Sequence, residues 1–173
     1  MPGMHPSFAH RTSTPGQGRH RQRGVVAIEF ALVFLFGMLP LLLLTLSGVL
    51  IFAAKQSLTL AAAEGARAAL RYGTTAQRQT NACEAAAESM AWLLTFSGAE
   101  PASCTTPPAP GGAYAPIAVS TAAPCPDTPT VECITVETSY DYNKYPFIPG
   151  TTTLYSWVMS GNLSSTATVQ LGD

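Results

Sequence analysis

The sequence FALVFLFGMLPLLLLTLSGVLIFAA at residues 30–54 contains 25 consecutive residues without a charged side chain. A helix needs about 20 apolar residues to cross a hydrocarbon core of about 30 Å. A buried core helix of this length would need a much larger protein around it. A cleaved secretory signal has only about 7–15 apolar residues before a small-x-small site, and Phe52-Ala53-Ala54 lacks the outer small residue. We therefore predict a transmembrane helix over residues 25–54.

Basic side chains are concentrated ahead of this apolar run. Four arginines and no acidic residue lie before residue 25, whereas the following 149 residues hold five basic and ten acidic side chains. Because basic residues favour the cytoplasmic side of a membrane span, residues 1–24 are predicted to form a basic cytoplasmic leader, with residues 55–173 exported. The confinement of basic charge to a short tail argues against nucleic acid as a partner.

All four cysteines follow the apolar run, at Cys83, Cys104, Cys125 and Cys133. An even number of cysteines in a small, polar, Pro-rich segment indicates disulfides in an oxidising compartment. Four cysteines allow three pairings, of which we favour the sequence-local one, Cys83–Cys104 with Cys125–Cys133. The alternative is a zinc site of four thiolates, but the chain lacks close CxxC spacing there.

The junction at residues 21–30, RQRGVVAIEF, places a lone glutamate, Glu29, at the start of the apolar run. A carboxylate at mid-bilayer costs about 2.5 kcal/mol or more, and less near the interface. Either the Glu29 carboxylate stays solvated at the level of the lipid headgroups, or it is paired with another group. Cleavage after Gly24 would give Val25 a new α-amine, four residues before Glu29 and on the same helix face.

This junction resembles the processing site of type IV pilin-like proteins, and most closely that of the TadE-like group of tight-adherence (Flp) pilus systems. Residues 27–32 read AIEFAL, and a leucine-rich span follows. Residues 61–69, AAAEGARAA, are similar to the Glu-Gly-Ala-Arg stretch that those proteins carry after the span. A weaker likeness lies in residues 163–169, LSSTATV.

The resemblance implies a minor pilin-like component, or pseudopilin, that takes part in pilus assembly or a related secretion system. It implies cleavage between Gly24 and Val25 by a prepilin peptidase of the bacterial inner membrane, and an assembly role for Glu29 and Phe30. It suggests Glu64, Gly65 and Arg67 as partner contacts. The implied partners are other pilins and pseudopilins and the pilus-assembly platform, with the C-terminal domain in the periplasm.

Two features depart from the family pattern, and one other function remains open. The 24-residue leader is long, which a later start codon would explain, and the cysteine-bearing insertion is unusual. No catalytic set, nucleotide-binding motif or metal-binding motif is present, so we expect neither an enzyme nor a cofactor. The alternative function is a permanently anchored, exported scaffold or adhesion module without a role in a pilus.

The rest of the chain predicts an α+β architecture. The first helix is expected to run from Val25 to Tyr72, with a kink near Pro40 and a C-cap at Gly73. A second helix is expected over residues 80–96, ended by Gly98, and a Pro/Gly-rich loop over residues 99–130. Strands are predicted at residues 133–140, 152–159 and 163–171, forming a small antiparallel sheet packed on the long helix, as in pilin-like proteins.

Overall fold

A computed structural model describes residues 21–104, 108, 115–148 and 162–172. The elements confirm the predicted α+β class, a long N-terminal apolar helix followed by a second helix and a small antiparallel sheet. The strand predicted at residues 152–159 lies outside the described residues. In chain order, the elements are α1 (Arg21–Val33), a π-helical turn (Phe34–Met38), α2 (Leu39–Ala69), α3 (Thr75–Ser97), β1 (Ile117–Val119), β2 (Ala123–Pro124), β3 (Glu132–Asp141) and β4 (Asn162–Leu171).

The chain divides into two units, Met1–Leu44 and Thr45–Asp173. In the first unit, every residue from 24 to 44 is exposed, including the large apolar side chains of Phe30, Phe36 and Leu44. Soluble domains bury such side chains, so this surface needs an apolar environment. The helical run Gly24–Ala69 is long enough and apolar enough to cross a membrane, with a mean hydropathy of 2.5 in its most apolar window.

The π-helical turn ends two residues before Pro40. The N–H of Leu39 donates to the carbonyl of Phe34, five residues back. Pro40 has no N–H to donate to Phe36, and its ring crowds the carbonyl of that residue. The helix therefore departs from α geometry in the region where a kink is predicted; the bend itself stays a prediction.

The second unit is built on one face of α2, which packs against α3 and the sheet. Residues at helical spacing from Leu58 to Ala69 form a buried stripe on α2, but Tyr72 is 99% exposed. The reason is that α2 ends at Ala69, three residues before the predicted end at Tyr72. The buried residues contributed by α2 are Ser47, Ala54, Ser57, Leu58, Ala61, Ala62, Gly65, Ala66, Ala68 and Ala69.

Helix α3 starts five residues earlier than predicted because it has a strong N-terminal cap. The Thr74 hydroxyl accepts from the Gln77 N–H, and the Gln77 side chain accepts from the Thr74 N–H, which satisfies two backbone donors at the helix start. At the other end Gly98 adopts a left-handed conformation with φ of 69°, as predicted for the residue that ends this helix.

The sheet is centred on β3. Strands β1 and β2 pair with one edge of β3, and β4 pairs antiparallel along its whole other edge, from Glu132↔Leu171 to Asp141↔Asn162. The prediction of a loop over residues 99–130 is therefore wrong at β1 and β2. The short apolar run of β1 is buried, and its pairing with β3 outweighs the Pro/Gly-rich composition around it.

The boundary between the apolar run and the domain differs from the one that hydropathy suggests. Ser47 and Ala54 are both buried, and Ile51 packs against the core. Residues 47–54, assigned to the membrane helix from sequence, therefore contribute side chains to the second unit. Hydropathy alone does not reveal this, since a lipid-facing residue and a core residue have the same apolar composition.

At Gly65, helix α2 packs closely against α3 and β3. A Cβ atom at this position would lie 2.9 Å from the Ala82 carbonyl oxygen, 3.0 Å from a Val136 methyl group and 3.2 Å from the Ala86 Cβ. Two of these atoms are backbone or Cβ atoms, which cannot rotate away. A side chain at residue 65 would push α2 and α3 apart.

We predict that Gly65→Val destabilises the domain. Overpacking costs typically about 1–3 kcal/mol, which exceeds the gain of under about 1 kcal/mol from replacing glycine in a helix. The midpoint of chemical unfolding of the full chain in detergent, followed by circular dichroism, measures the change. Leu60→Val is the matched control, because Leu60 is exposed on the same helix; equal stability of the two variants would contradict the packing role.

Candidate functional site

The predicted processing junction lies in α1. Gly24 has no atom within 4 Å of the position where a Cβ would stand, and both Val25 and Glu29 are exposed. Phe30 is 70% exposed, and its ring stacks on Phe34 with centroids 6.4 Å apart. The junction thus presents an accessible glycine, a carboxylate and aromatic rings on a helix whose other residues from Val25 onward are apolar.

The spacing of Val25 and Glu29 allows their charged groups to interact. Val25 and Glu29 are separated by four residues in α1, so they lie on the same helix face about one turn apart. A positive group at Val25 would therefore be within reach of the Glu29 carboxylate. In an apolar environment, pairing of the two charges lowers the free energy needed to desolvate them.

The predicted partner contacts do not all lie on the same side of α2. They are Glu64, Gly65 and Arg67. Arg67 Nη1 donates to Glu64 Oε1 at 2.7 Å on the surface, with the Arg67 side chain 72% exposed. An exposed pair of this kind contributes about 0–1 kcal/mol to stability. Gly65 faces inward against Ala82. Only Glu64 and Arg67 are therefore available to a partner, whereas the contacts of Gly65 are within the chain.

The cysteines form two disulfides, Cys83–Cys104 and Cys125–Cys133. This is the sequence-local pairing. The first bond ties the segment after α3 back to the buried face of that helix. The second closes the turn between β2 and β3, where the Cys125 N–H also donates to the Val131 carbonyl.

A shallow cavity of about 310 Å³ on the domain surface has a mostly apolar lining that also includes Glu100, Ser103, Lys144 and Tyr145. Lys144 lies 5.1 Å from the centre of the Tyr145 ring. A hydrogen bond with Tyr145 raises the pKa of Lys144, and the nearby carboxylates of Glu100 and Asp141 act in the same direction. Within the described ranges, no three His, Cys, Asp or Glu side chains come together as a metal site would require.

Three polar contacts that fix α2 in the domain were not predicted from the sequence. The Thr138 hydroxyl donates to the Leu58 carbonyl at 2.9 Å in the buried interior. Trp92 Nε1 donates to Ser57 Oγ at 3.0 Å. On the surface, Lys55 Nζ donates to the carbonyl of Ser164 at 2.7 Å. The sequence carries one usable signal, because the alternation of β3 places Thr138 on the inward face, where a hydroxyl needs an acceptor.

One candidate membrane-spanning helix joined to an α+β domain fits a single-pass membrane protein. Residues 24–67 match the model of the family described as TadE-like protein. The match begins at Gly24 and ends at Arg67, so it contains the junction, the apolar run and the Glu-Gly-Ala-Arg stretch. It confirms the resemblance predicted from the sequence and relates the chain to a pilus-related family. Searches of curated proteins and of solved structures found no match.

We predict that both disulfides stabilise the domain, the longer loop more than the shorter. The bonds span 21 and 8 residues, and a disulfide contributes typically about 2–4 kcal/mol, increasing with loop length. Unfolding midpoints of the full chain should therefore fall further for the Cys83→Ala/Cys104→Ala double variant than for Cys125→Ala/Cys133→Ala. Each double variant is the control for the other. A larger fall in the midpoint for the Cys125→Ala/Cys133→Ala variant would contradict the dependence on loop length.

Proposed function

We propose that this chain is a minor pilin-like component, or pseudopilin, needed to assemble a tight-adherence pilus of the Flp, type IV-like kind. The observation that carries the proposal is the family match over residues 24–67. Its first residue, Gly24, is the predicted cleavage position, and Glu29 follows at the fifth position after the cut. In the proposed function, a prepilin peptidase of the inner membrane cleaves between Gly24 and Val25.

Cleavage would change the charge of the helix end. An α-amino group has a reference pKa of about 7.7–8.0, so the new amine of Val25 would be mostly protonated at neutral pH. It would stand one turn from Glu29, in the same chain or beside Glu29 of a neighbouring subunit. Each charge in an apolar bundle would then have an opposite charge within reach, which favours helices packed at one register over others.

The exposed surface of α1 supports an assembly role. All residues from 24 to 44 are exposed, so the described part of the chain does not bury their large apolar side chains. Lipid would cover them before assembly, and helices of neighbouring subunits would cover them in a fibre. The proposed partners are accordingly other pilins and pseudopilins, together with the assembly platform that moves them out of the bilayer.

The proposed orientation puts the leader in the cytoplasm and the domain in the periplasm. The arginines of residues 1–24 favour the cytoplasmic side. The two disulfides of the domain require an oxidising compartment, which the periplasm provides. The exposed Glu64–Arg67 pair would then be presented on the periplasmic side, where we propose that it contacts a partner subunit.

We predict that Gly24→Leu blocks processing. A leucine side chain at the cleavage position would exclude the chain from a peptidase site that accepts glycine. N-terminal sequencing or intact mass of protein from the native membrane should give a chain starting at Val25 for the wild type and an uncleaved chain for the variant. Gly37→Leu is the control, since Gly37 is equally open. A wild-type chain that keeps its leader would favour the permanently anchored module.

We also predict that Glu29→Gln leaves membrane insertion intact and lowers pilus yield. A hydrogen bond to a charged group contributes about 1.5–3 kcal/mol, so its loss should weaken subunit association about ten- to a hundredfold. Pilus yield and surface adhesion measure the effect, with membrane fractionation as the check on insertion. Glu84→Gln on the exposed face of α3 is the matched control. Unchanged fibre assembly in Glu29→Gln would contradict a role for the carboxylate.

A further inference from the structure

Contacts within the second unit define which end of the domain lies nearest the start of α2. Gly65 lies beside Ala82 near the start of α3, whereas Ser57 bonds to Trp92 near its end. Helix α3 therefore runs back along α2, and its last turn is level with the part of α2 that precedes Ser57. The start of β4 lies at the same level of α2, because Lys55 donates a hydrogen bond to the carbonyl of Ser164 near the beginning of that strand.

The domain core starts where a membrane-spanning helix would leave the hydrocarbon. Counting from Phe30, the first residue after Glu29, 20 helical residues rise about 30 Å and reach Val49. Ser47 and Ala54 are already buried in the domain. A span of that length would leave no bare helix before the first packed residues, which would bring the near end of the domain to the bilayer surface.

This near end carries apolar and aromatic side chains that the described chain leaves partly uncovered. Phe96 is 58% exposed even though its ring lies 5.9 Å from that of Phe147. Trp92 is 48% exposed, with its N–H bonded to Ser57. We call the four side chains of this end the basal patch: Val49 and Phe52, each 64% exposed, with Trp92 and Phe96.

We propose that the basal patch rests in the headgroup region of the bilayer and holds the domain against the membrane surface. Val49 would lie at the edge of the hydrocarbon, Phe52 and Phe96 would lie in the interface, and Trp92, one turn of α3 further out, would mark its outer edge. Aromatic residues are enriched at membrane interfaces, and Trp suits such a site because its ring is apolar while its N–H is bonded. The occupant is lipid, rather than a second copy of the chain.

Charges at this end favour shallow contact over strong binding to anionic lipid. Lys55 and Lys144 are both exposed, but Asp141 and Glu100 act electrostatically on Lys144 from nearby. Net attraction to anionic headgroups is therefore small, and burial of aromatic surface is the driving force. The inference rests on the membrane span and holds whether or not the chain is processed or enters a pilus.

The test uses single-tryptophan variants of the full-length, unprocessed chain in lipid vesicles. The two native tryptophans, Trp92 and Trp157, are replaced by phenylalanine, and one tryptophan is introduced at a chosen site. Phe96→Trp probes the basal patch, Leu42→Trp reports insertion of the apolar helix, and Tyr72→Trp reports the far end of α2. Emission is compared in vesicles with and without phospholipid brominated near the carbonyl end of its acyl chains.

We expect bromolipid to cause a clear loss of emission for Phe96→Trp and Leu42→Trp and none for Tyr72→Trp. Loss for Leu42→Trp alone would overturn the inference, because the chain would be inserted with its domain clear of the lipid. Quenching of the Phe96→Trp emission by aqueous iodide is also measured at decreasing ratios of protein to lipid. If protection from iodide disappears on dilution in lipid, a neighbouring protein copy rather than lipid covers the patch, and the inference is overturned. The processing of Gly24 is scored separately and does not affect these results.

Discussion

The close approach of α2 to α3 and β3 at Gly65 is the constraint on which the rest of the domain depends. Without a side chain there, the Ala82 backbone comes within 2.9 Å of the position that a Cβ would occupy. Along the same helix, the Thr138 hydroxyl reaches the Leu58 carbonyl and the Trp92 N–H reaches Ser57. Small residues let backbones approach closely, so an Ala-rich stripe with one glycine can build a core despite its little side-chain volume.

The elements that sequence predicts well are those whose pattern repeats over many residues. The apolar run and the period-two alternation of β3 and β4 are of this kind. Helix α3 starts earlier than its apolar pattern suggests, because the Thr74 and Gln77 cap lies outside that pattern; the spacing Thr-x-x-Gln was visible. Strand β1 could not be predicted, since three residues define no period and its structure comes from pairing with β3.

The candidate site also contains residues that a local motif indicates and residues whose exposure depends on tertiary packing. The roles of Gly24 and Glu29 are predicted from a short, contiguous motif ahead of an apolar helix; the family match covers that motif, and the roles themselves stay predictions. Glu64 and Gly65 are adjacent in sequence, yet one side chain belongs to the surface and the other position is in the core. Which of two neighbours faces a partner depends on the packing of α3, which lies outside the local sequence.

In the proposed pilus assembly, both the apolar helix and the basal patch would have to be covered by other subunits. In the proposed function, a subunit that left the bilayer would lose lipid contact along α1 and, by our inference, around Phe52 and Phe96. Returning one large apolar side chain to water costs about 1.5–3 kcal/mol, so a fibre would have to cover the patch as well as the helix. Before assembly, the same aromatic side chains would favour retention of the subunit in the membrane.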